Sequence, residues 1–170
     1  MKIYVVFLLM LISPIAMAES CFLAKEKGKV LKSEGDVKTA FAPQSTFKIA
    51  LSLIGFDAGL LKNEHEPKWS LPLGVDPYIN VCKGDHNPRT WMRDSCLWYS
   101  RILTTKLGIT KFQDYVTKFL YGNQDLSGGL TQAWVSSSLK ISPEGQTDFI
   151  QKIVDQKLPL RKEAYEKAKK

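Results

Sequence analysis

The sequence predicts an α+β domain that is mostly helical, with one β-hairpin near its start, and three observations carry this prediction. Residues 21–33 place apolar side chains on both sides of a turn that contains Gly28, as β-hairpins do. Residues 45–61 are apolar around the whole helical circumference, which predicts a buried central helix. Further apolar repeats at helical spacing follow until Pro159, so helices outnumber strands.

The first eighteen residues predict a secretory signal peptide. Lys2 supplies a positive start, residues 3–12 are apolar, and Ala16 and Ala18 stand where a signal peptidase requires small side chains. The apolar run is too short to span a membrane as a helix. We therefore expect an exported chain that is cleaved after Ala18 and has no membrane span in its mature form.

After the central helix, a loop and two helices are predicted in turn. Residues 62–90 are rich in Pro, Asn, Asp and Gly and are expected to be mostly loop. Apolar residues at helical spacing then predict one helix over residues 87–108 and another over residues 110–121.

The remaining elements are helical as well. A fourth helix is expected to start at Leu130, and Ser142-Pro143 reads as an N-cap followed by proline at the first helical position. The helix that this cap begins should stop before Pro159. Residues 161–170 favour a basic helical tail that shows little apolar face.

The net charge of +7 does not point to nucleic acid. Lys2 and the tail at residues 161–170 contribute much of the surplus, so the body of the chain is only weakly basic. Aromatic residues do not alternate with Lys and Arg in the way that is typical of base-stacking surfaces. We therefore expect no nucleic-acid partner.

The cysteines leave one question open. Cys21, Cys82 and Cys96 are odd in number, so at least one stays unpaired, while export permits a disulfide whose two partners the sequence does not decide. His65 and His86 are isolated, and no Cys or His spacing is typical of a zinc site. No metal is expected.

The residues with the clearest chemical potential are Ser45 and Lys48, at the start of the central helix. Their spacing places both side chains on one helix face, near free backbone N–H groups that favour a developing negative charge. A lysine among apolar neighbours becomes easier to deprotonate, and a neutral amine can activate a serine either directly or as a carbamate. The competing interpretation is that Lys48 reaches solvent and Ser45 only caps the helix.

Four segments surround this pair in a characteristic order: FAPQSTFKIALSLIGFD at 41–57, HNPRTWMRDSCLWYS at 86–100, YGNQDLSG at 121–128 and GLTQAWVSSSLKISPEGQ at 129–146. Together they resemble the class D (oxacillinase-type) serine β-lactamases of the penicillin-recognising serine enzymes. The resemblance implies the helical part of the β-lactamase/penicillin-binding transpeptidase-like fold, with an N-terminal hairpin and an incomplete antiparallel sheet. It divides the chain into the signal peptide 1–18, a partial domain 19–160 and the tail 161–170.

The resemblance also implies roles for the residues that match. Ser45 would be the acylated nucleophile, and Lys48, as its N-carboxylated form, would be the base for acylation and deacylation. Ser95 would pass a proton toward the β-lactam nitrogen, although it also reads as a helix N-cap. Trp134 would donate its indole N–H to the carbamate, and Leu97 stands where the family has a smaller valine beside that group.

Three further residues, Tyr121, Gly122 and Asn123, match the tyrosine-glycine-asparagine motif of the class and would bind substrate or support the site. β-Lactam antibiotics are the implied partners and the bacterial periplasm is the implied location. No cofactor is implied besides the carbon dioxide-derived carbamate on Lys48. A homodimer remains open.

Two departures from the family bear on activity. No Lys-Thr/Ser-Gly segment follows Trp134, although this segment forms one wall of the site in the family and supplies an oxyanion donor. The loop before Trp134 is also shorter than usual, which could displace the tryptophan from Lys48. We therefore expect a β-lactam hydrolase with impaired turnover. The alternatives are a penicillin-binding or interaction protein that is acylated without turnover, or an exported protein without a ligand.

Overall fold

The computed structural model describes residues 20–169, and the predicted signal peptide lies outside these residues. The described part is α+β and mostly helical, as predicted. None of its helices is both long and apolar enough to cross a membrane. The α-helices are α1 (Lys48–Asp57), α2 (Pro88–Asp94), α3 (Leu97–Leu107), α4 (Ile109–Phe119), α5 (Ala133–Ser136), α6 (Pro143–Val154) and α7 (Lys162–Ala168). The strands are β1 (Phe22–Glu26), β2 (Lys29–Glu34), β3 (Trp69–Ser70) and β4 (Asp85–His86), paired β1 with β2 and β3 with β4 in antiparallel ladders.

The predicted N-terminal hairpin is confirmed. Lys27 and Gly28 turn the chain with positive φ angles of 49° and 81°, a conformation that favours glycine. The Lys25 ammonium holds β1 against α6 through the Asp148 carboxylate at 2.6 Å and the Glu144 carboxylate at 3.7 Å. All residues of β2 are exposed, so β1 is the strand that packs this two-stranded sheet against α6.

The central helix is shorter than predicted and begins differently. The chain makes one 3₁₀ turn at Gln44–Phe47 before it enters α1 at Lys48. Within α1 the side chains from Ala50 to Phe56 are buried, as expected from an apolar circumference. A side chain at Gly55 would meet the Leu61 side chain at 2.7 Å, so glycine permits the loop after α1 to pack closely.

The helix predicted over residues 87–108 is two helices, so that prediction was wrong at its centre. Asn87 and Thr90 form a capping box that starts α2, as the proline at its first turn suggests. Ser95 then adopts a left-handed backbone conformation with φ of 59°, which ends α2 before α3 starts. Apolar periodicity continues across this break, and for that reason the pattern alone did not reveal it.

A disulfide joins Cys82 to Cys96, which lies in the break between α2 and α3. The 3₁₀ turn at Asn80–Cys82 brings the first cysteine to the second, with their Cα atoms 5.4 Å apart. Cys21 is exposed and unpaired in the described part of the chain, which matches the odd cysteine count. The loop predicted over residues 62–90 therefore contains a 3₁₀ turn and the short β3–β4 ladder as well.

Aromatic side chains join the elements around the start of α1. Phe47 packs edge-on against Tyr121, with ring centroids 5.0 Å apart, and its ring lies 5.7 Å from that of Trp134 and 5.9 Å from that of Phe112. Tyr121 in turn contacts Phe149 of α6 at 4.8 Å. The rings thus connect α1, α4, α5 and α6 in one core.

The tail helix packs against α1 more closely than its sequence suggests. Ala164 and Tyr165 of α7 are buried, although residues 161–170 show little apolar face. The Tyr165 hydroxyl accepts a hydrogen bond from the Leu158 N–H at 2.8 Å and donates one to the Leu158 carbonyl at 2.9 Å. The Arg161 N–H donates to the Asp57 carboxylate at 2.8 Å, so the tail is attached to the end of the central helix.

The contacts of Tyr165 predict a measurable loss of stability when its hydroxyl is removed. Tyr165→Phe leaves two buried backbone groups of Leu158 without their partner, and we expect the free energy of unfolding to fall by about 1–3 kcal/mol. Urea unfolding followed by circular dichroism measures this change. Tyr78→Phe is the matched control because Tyr78 is 62% exposed. Equal stability of the Tyr165→Phe and Tyr78→Phe variants would contradict the proposed role of this contact.

Candidate active site

Ser45 lies in the 3₁₀ turn that leads into α1. Thr46 fastens this turn, because its N–H and its hydroxyl both donate to the Pro43 carbonyl, at 3.1 Å and 2.6 Å. The neighbouring Phe47 is fully buried and anchors the turn to the core, while Ser45 itself is exposed. The local fold therefore presents the Ser45 hydroxyl on a rigid support.

Lys48 is buried directly beneath this hydroxyl. Only 4% of the residue is exposed, and its Nζ lies 3.2 Å from Ser45 Oγ. Burial penalises the charged ammonium and lowers the pKa of Lys48 to about 8. The interpretation in which Lys48 reaches solvent is therefore wrong, and its amine can take a proton from Ser45 near neutral pH.

Ser95 completes a chain of three polar groups. Its hydroxyl donates to Ser45 Oγ at 3.1 Å. Ser95 is the C-cap of α2, and Cys96 is the N-cap of α3, so the N-cap interpretation of Ser95 is wrong. The left-handed backbone turns its side chain out of the helical path, and the adjoining disulfide at Cys96 holds that turn.

These three residues line a cavity of about 500 Å³. Leu97 and Trp134, which the sequence assigned to the same site, lie in its walls. The structure therefore brings together five of the predicted site residues from three separate segments. The complete lining is Gln44, Ser45, Lys48, Tyr78, Ser95, Leu97, Arg101, Gln132, Trp134, Val135 and Ser136.

Trp134 reaches the cavity despite the short loop that precedes it. The Ala133 N–H donates to the Gly129 carbonyl, and the Leu139 N–H donates to the Ala133 carbonyl, both at 3.0 Å. These bonds hold α5 in a compact turn, and the indole packs against Phe47 and is almost fully buried. The structure thus places the tryptophan in the wall of the cavity that contains Lys48.

Tyr121, Gly122 and Asn123 lie outside the walls of this cavity. Asn123 binds the segment that follows α5. Its N–H donates to the Lys140 carbonyl at 2.9 Å, and its side-chain amide donates to the Ser138 carbonyl at 2.8 Å. A side chain at Gly122 would lie 1.9 Å from the same Lys140 carbonyl, so only glycine fits there. The motif supports the site by fixing the chain after Trp134.

The Tyr121 hydroxyl is also used inside the fold. It donates to the Gln146 side chain at 2.8 Å, and burial raises the pKa of Tyr121 above its ordinary value. The sequence left a role in substrate binding open for Tyr121. In the described structure no contact of Tyr121 supports that role. A supporting role through packing against Phe47 remains.

Six wall residues were not predicted from the sequence: Gln44, Tyr78, Arg101, Gln132, Val135 and Ser136. Arg101 stands four residues after Leu97 on α3, so helical spacing from a predicted site residue would have identified it. Tyr78 comes from the irregular loop and Gln132 from the segment before α5. No local pattern marks these two, because only the tertiary fold carries them to the cavity.

A second cluster of potential ligands lies behind Ser95. Side-chain atoms of Cys82, His86 and Cys96 all approach within 4.8 Å of one another. The two sulfur atoms are joined in the disulfide, so they are not thiolates that could bind a metal. His86 Nε2 lies 3.1 Å from the Val81 carbonyl, which stabilises the loop next to the disulfide.

The chain is similar to proteins of a known family. Residues 20–170 match the penicillin-binding protein transpeptidase domain. The chain is 42% identical over 159 residues to β-lactamase OXA-1 of Escherichia coli, and the aligned region covers 87% of this chain and 56% of that protein. It is 40% identical over 152 residues to β-lactamase OXA-9 of Klebsiella pneumoniae, with coverages of 83% and 54%. The chain thus spans about half the length of these curated relatives.

The fold is also similar to that of a solved structure. The fold superposes on the crystal structure of the OXA-427 class D β-lactamase with a TM-score of 0.83 and 42% identity, covering 87% of this chain and 64% of that one. The match to the transpeptidase domain extends over nearly the whole described part of the chain. The chain therefore belongs to the penicillin-binding protein transpeptidase domain family, and class D β-lactamases are its homologues.

Proposed function

We propose that this chain opens β-lactam rings through an acyl-enzyme intermediate on Ser45. One observation carries the proposal: Ser45 Oγ lies 3.1 Å from the Ser95 hydroxyl and 3.2 Å from the Lys48 amine. A nucleophile between a base and a proton donor is the arrangement that acyl transfer requires. The relationship to class D β-lactamases supports β-lactams as the substrate class.

Acylation follows from this geometry. The basic form of Lys48 takes the Ser45 proton while Oγ attacks the lactam carbonyl carbon. The backbone N–H of Ser45, in the turn that begins the helix, is placed to donate to the oxyanion. As the ring C–N bond breaks, the electron pair stays on nitrogen, Ser95 delivers its hydroxyl proton to that nitrogen, and Ser95 takes up the proton that Lys48 removed from Ser45.

We further propose that Lys48 acts as an N-carboxylated lysine. Only a neutral amine adds to carbon dioxide, and this addition forms an N–C bond and releases a proton. Burial favours the reaction because it lowers the pKa of Lys48 to about 8. The cavity beside the amine leaves space for a carboxylate, and Trp134 in its wall is the proposed indole donor.

The carbamate would also serve the second half of the reaction. It would take a proton from a water molecule, whose oxygen then attacks the acyl carbonyl carbon. The bond between this carbon and Ser45 Oγ breaks, and the carbamate returns the proton to Oγ. If this water is not activated, the chain would be acylated without turnover, which is the second candidate function. The proposed partner is a β-lactam, and the proposed location is the bacterial periplasm, in accordance with the secretory signal in the sequence.

Replacing the nucleophile tests the proposal directly. We expect mass spectrometry to detect a benzylpenicillin adduct on the original chain and none on Ser45→Ala, because the attacking oxygen is absent. Ser52→Ala is the matched control, since Ser52 lies on α1, which follows the Ser45 turn, and its hydroxyl bonds only to the Ile49 carbonyl at 3.2 Å.

The lifetime of the adduct separates the two candidates. Hydrolysis of a chromogenic cephalosporin with a transient adduct identifies a hydrolase, whereas a persistent adduct identifies acylation without turnover. A folded original chain that shows neither adduct nor hydrolysis would refute the proposal, and so would an adduct that survives in Ser45→Ala.

The lowered pKa of Lys48 predicts a pH profile. Below pH about 8 most of the amine is protonated and only the neutral fraction can accept the Ser45 proton, so the acylation rate should rise about tenfold per pH unit and level off above this value. Stopped-flow acylation with benzylpenicillin measures the profile. Added bicarbonate should raise the rate at constant pH because it supplies the carbamate.

Two variants control this measurement. Lys48→Arg keeps a permanent positive charge and should slow acylation by about a hundredfold or more. Lys106→Arg makes the same change at an exposed position and should leave the rate unaltered. A rate independent of pH between about 6 and about 9 would refute Lys48 as the base.

A further inference from the structure

Arg101 is the one residue in the cavity wall whose charge the proposed reaction does not use. It lies on α3, partly buried, and faces the cavity together with Tyr78 and Gln132. Its Nε donates a long hydrogen bond of 3.4 Å to the Thr131 carbonyl, and its guanidinium carbon lies 5.8 Å from the centre of the Tyr78 ring. These contacts orient the side chain but do not neutralise it.

The other arginines of the described chain all have carboxylate partners. Arg89 lies 3.6 Å from Glu64, Arg93 lies 2.7 Å from Asp94, and Arg161 lies 3.5 Å from Asp57. Between residues 20 and 169, no carboxylate lies within 4.0 Å of the Arg101 guanidinium. A partly buried cation without a counter-ion, in the wall of an open cavity, is a site for an anion.

We propose that Arg101 binds a carboxylate on the acylamino side chain of the β-lactam, which makes side-chain carboxylated penicillins preferred ligands. The inference rests on the proposed function, because it takes the β-lactam as the occupant of the cavity. The guanidinium offers paired N–H donors that match the two oxygens of a carboxylate. The Tyr78 ring, which lines the same cavity, provides an apolar surface beside the ion.

The position of Arg101 along α3 selects this carboxylate over the one on the fused ring. Arg101 lies one turn beyond Leu97, and four residues of α-helix rise about 6 Å. The fused-ring carboxylate is separated from the reacting carbonyl carbon only by the ring nitrogen and one ring carbon. A side-chain carboxylate is separated from the same carbonyl carbon by one ring carbon, the amide and one further carbon, which is two bonds more, so it reaches farther along α3 from Ser45.

Carbenicillin and benzylpenicillin form a matched pair for the test, because they differ only by this side-chain carboxylate. Binding is measured in a Ser45→Ala background, which cannot be acylated, by isothermal titration calorimetry. We expect carbenicillin to bind more tightly than benzylpenicillin. Arg101→Gln should weaken the binding of carbenicillin about tenfold and change the affinity for benzylpenicillin by less than about twofold.

Two controls separate charge from structure. Arg101→Lys keeps a cation and should recover part of the carbenicillin affinity. Arg89→Gln removes an exposed arginine outside the cavity and should change neither affinity. Circular dichroism checks that each variant is folded.

The possible failures are distinguishable. Equal weakening of both penicillins by Arg101→Gln, or no effect on either, refutes the side-chain carboxylate site. Acylation of the original chain by benzylpenicillin, measured separately, supports the proposed function even when the Arg101 inference fails. A Ser45→Ala chain that binds neither penicillin refutes the anion site, and failure of the original chain to be acylated refutes the proposed function.

Discussion

Burial of the Lys48 amine beside the Ser45 hydroxyl is the constraint on which the rest of the site depends. An ammonium group in an apolar environment is costly, so its pKa falls, and the basic form that can activate a serine becomes accessible. This effect exists only because α1 is surrounded by other elements. The fully buried neighbours Ala50 and Leu51 show how completely the helix is enclosed. The core therefore determines the chemistry of the site, besides stabilising the fold.

The aromatic core also positions the cavity wall. Phe47 directly precedes Lys48 in the chain, and it contacts both Tyr121 and Trp134. The same packing that fixes the first turn of α1 therefore fixes the tryptophan beside the lysine. Asn123 then binds the backbone at Ser138 and Lys140, which secures the segment after the tryptophan. A motif outside the cavity thus contributes to the site by holding one of its walls.

Ser95 illustrates how backbone conformation and function are connected. Its left-handed conformation is unfavourable for a serine, by an amount on the order of 1–3 kcal/mol for such residues, and the surrounding fold must maintain it. The disulfide from Cys96 to Cys82 and the capped start of α2 provide that support. Because α3 begins just after this turn, the same break also directs Arg101 toward the cavity.

The sequence by itself determined the mostly helical α+β class, the hairpin, the capped helix after Ser142 and the Ser45–Lys48 pair. These depend on local patterns, namely periodicity, turn residues and spacing along one helix. Only the tertiary structure decided that Ser95 meets Ser45, that Cys82 pairs with Cys96, and that the tail packs on α1. The physical reason is that pKa values, hydrogen bonds across the fold and cavity walls depend on distant segments. Their proximity results from packing the core as a whole, which no local pattern encodes.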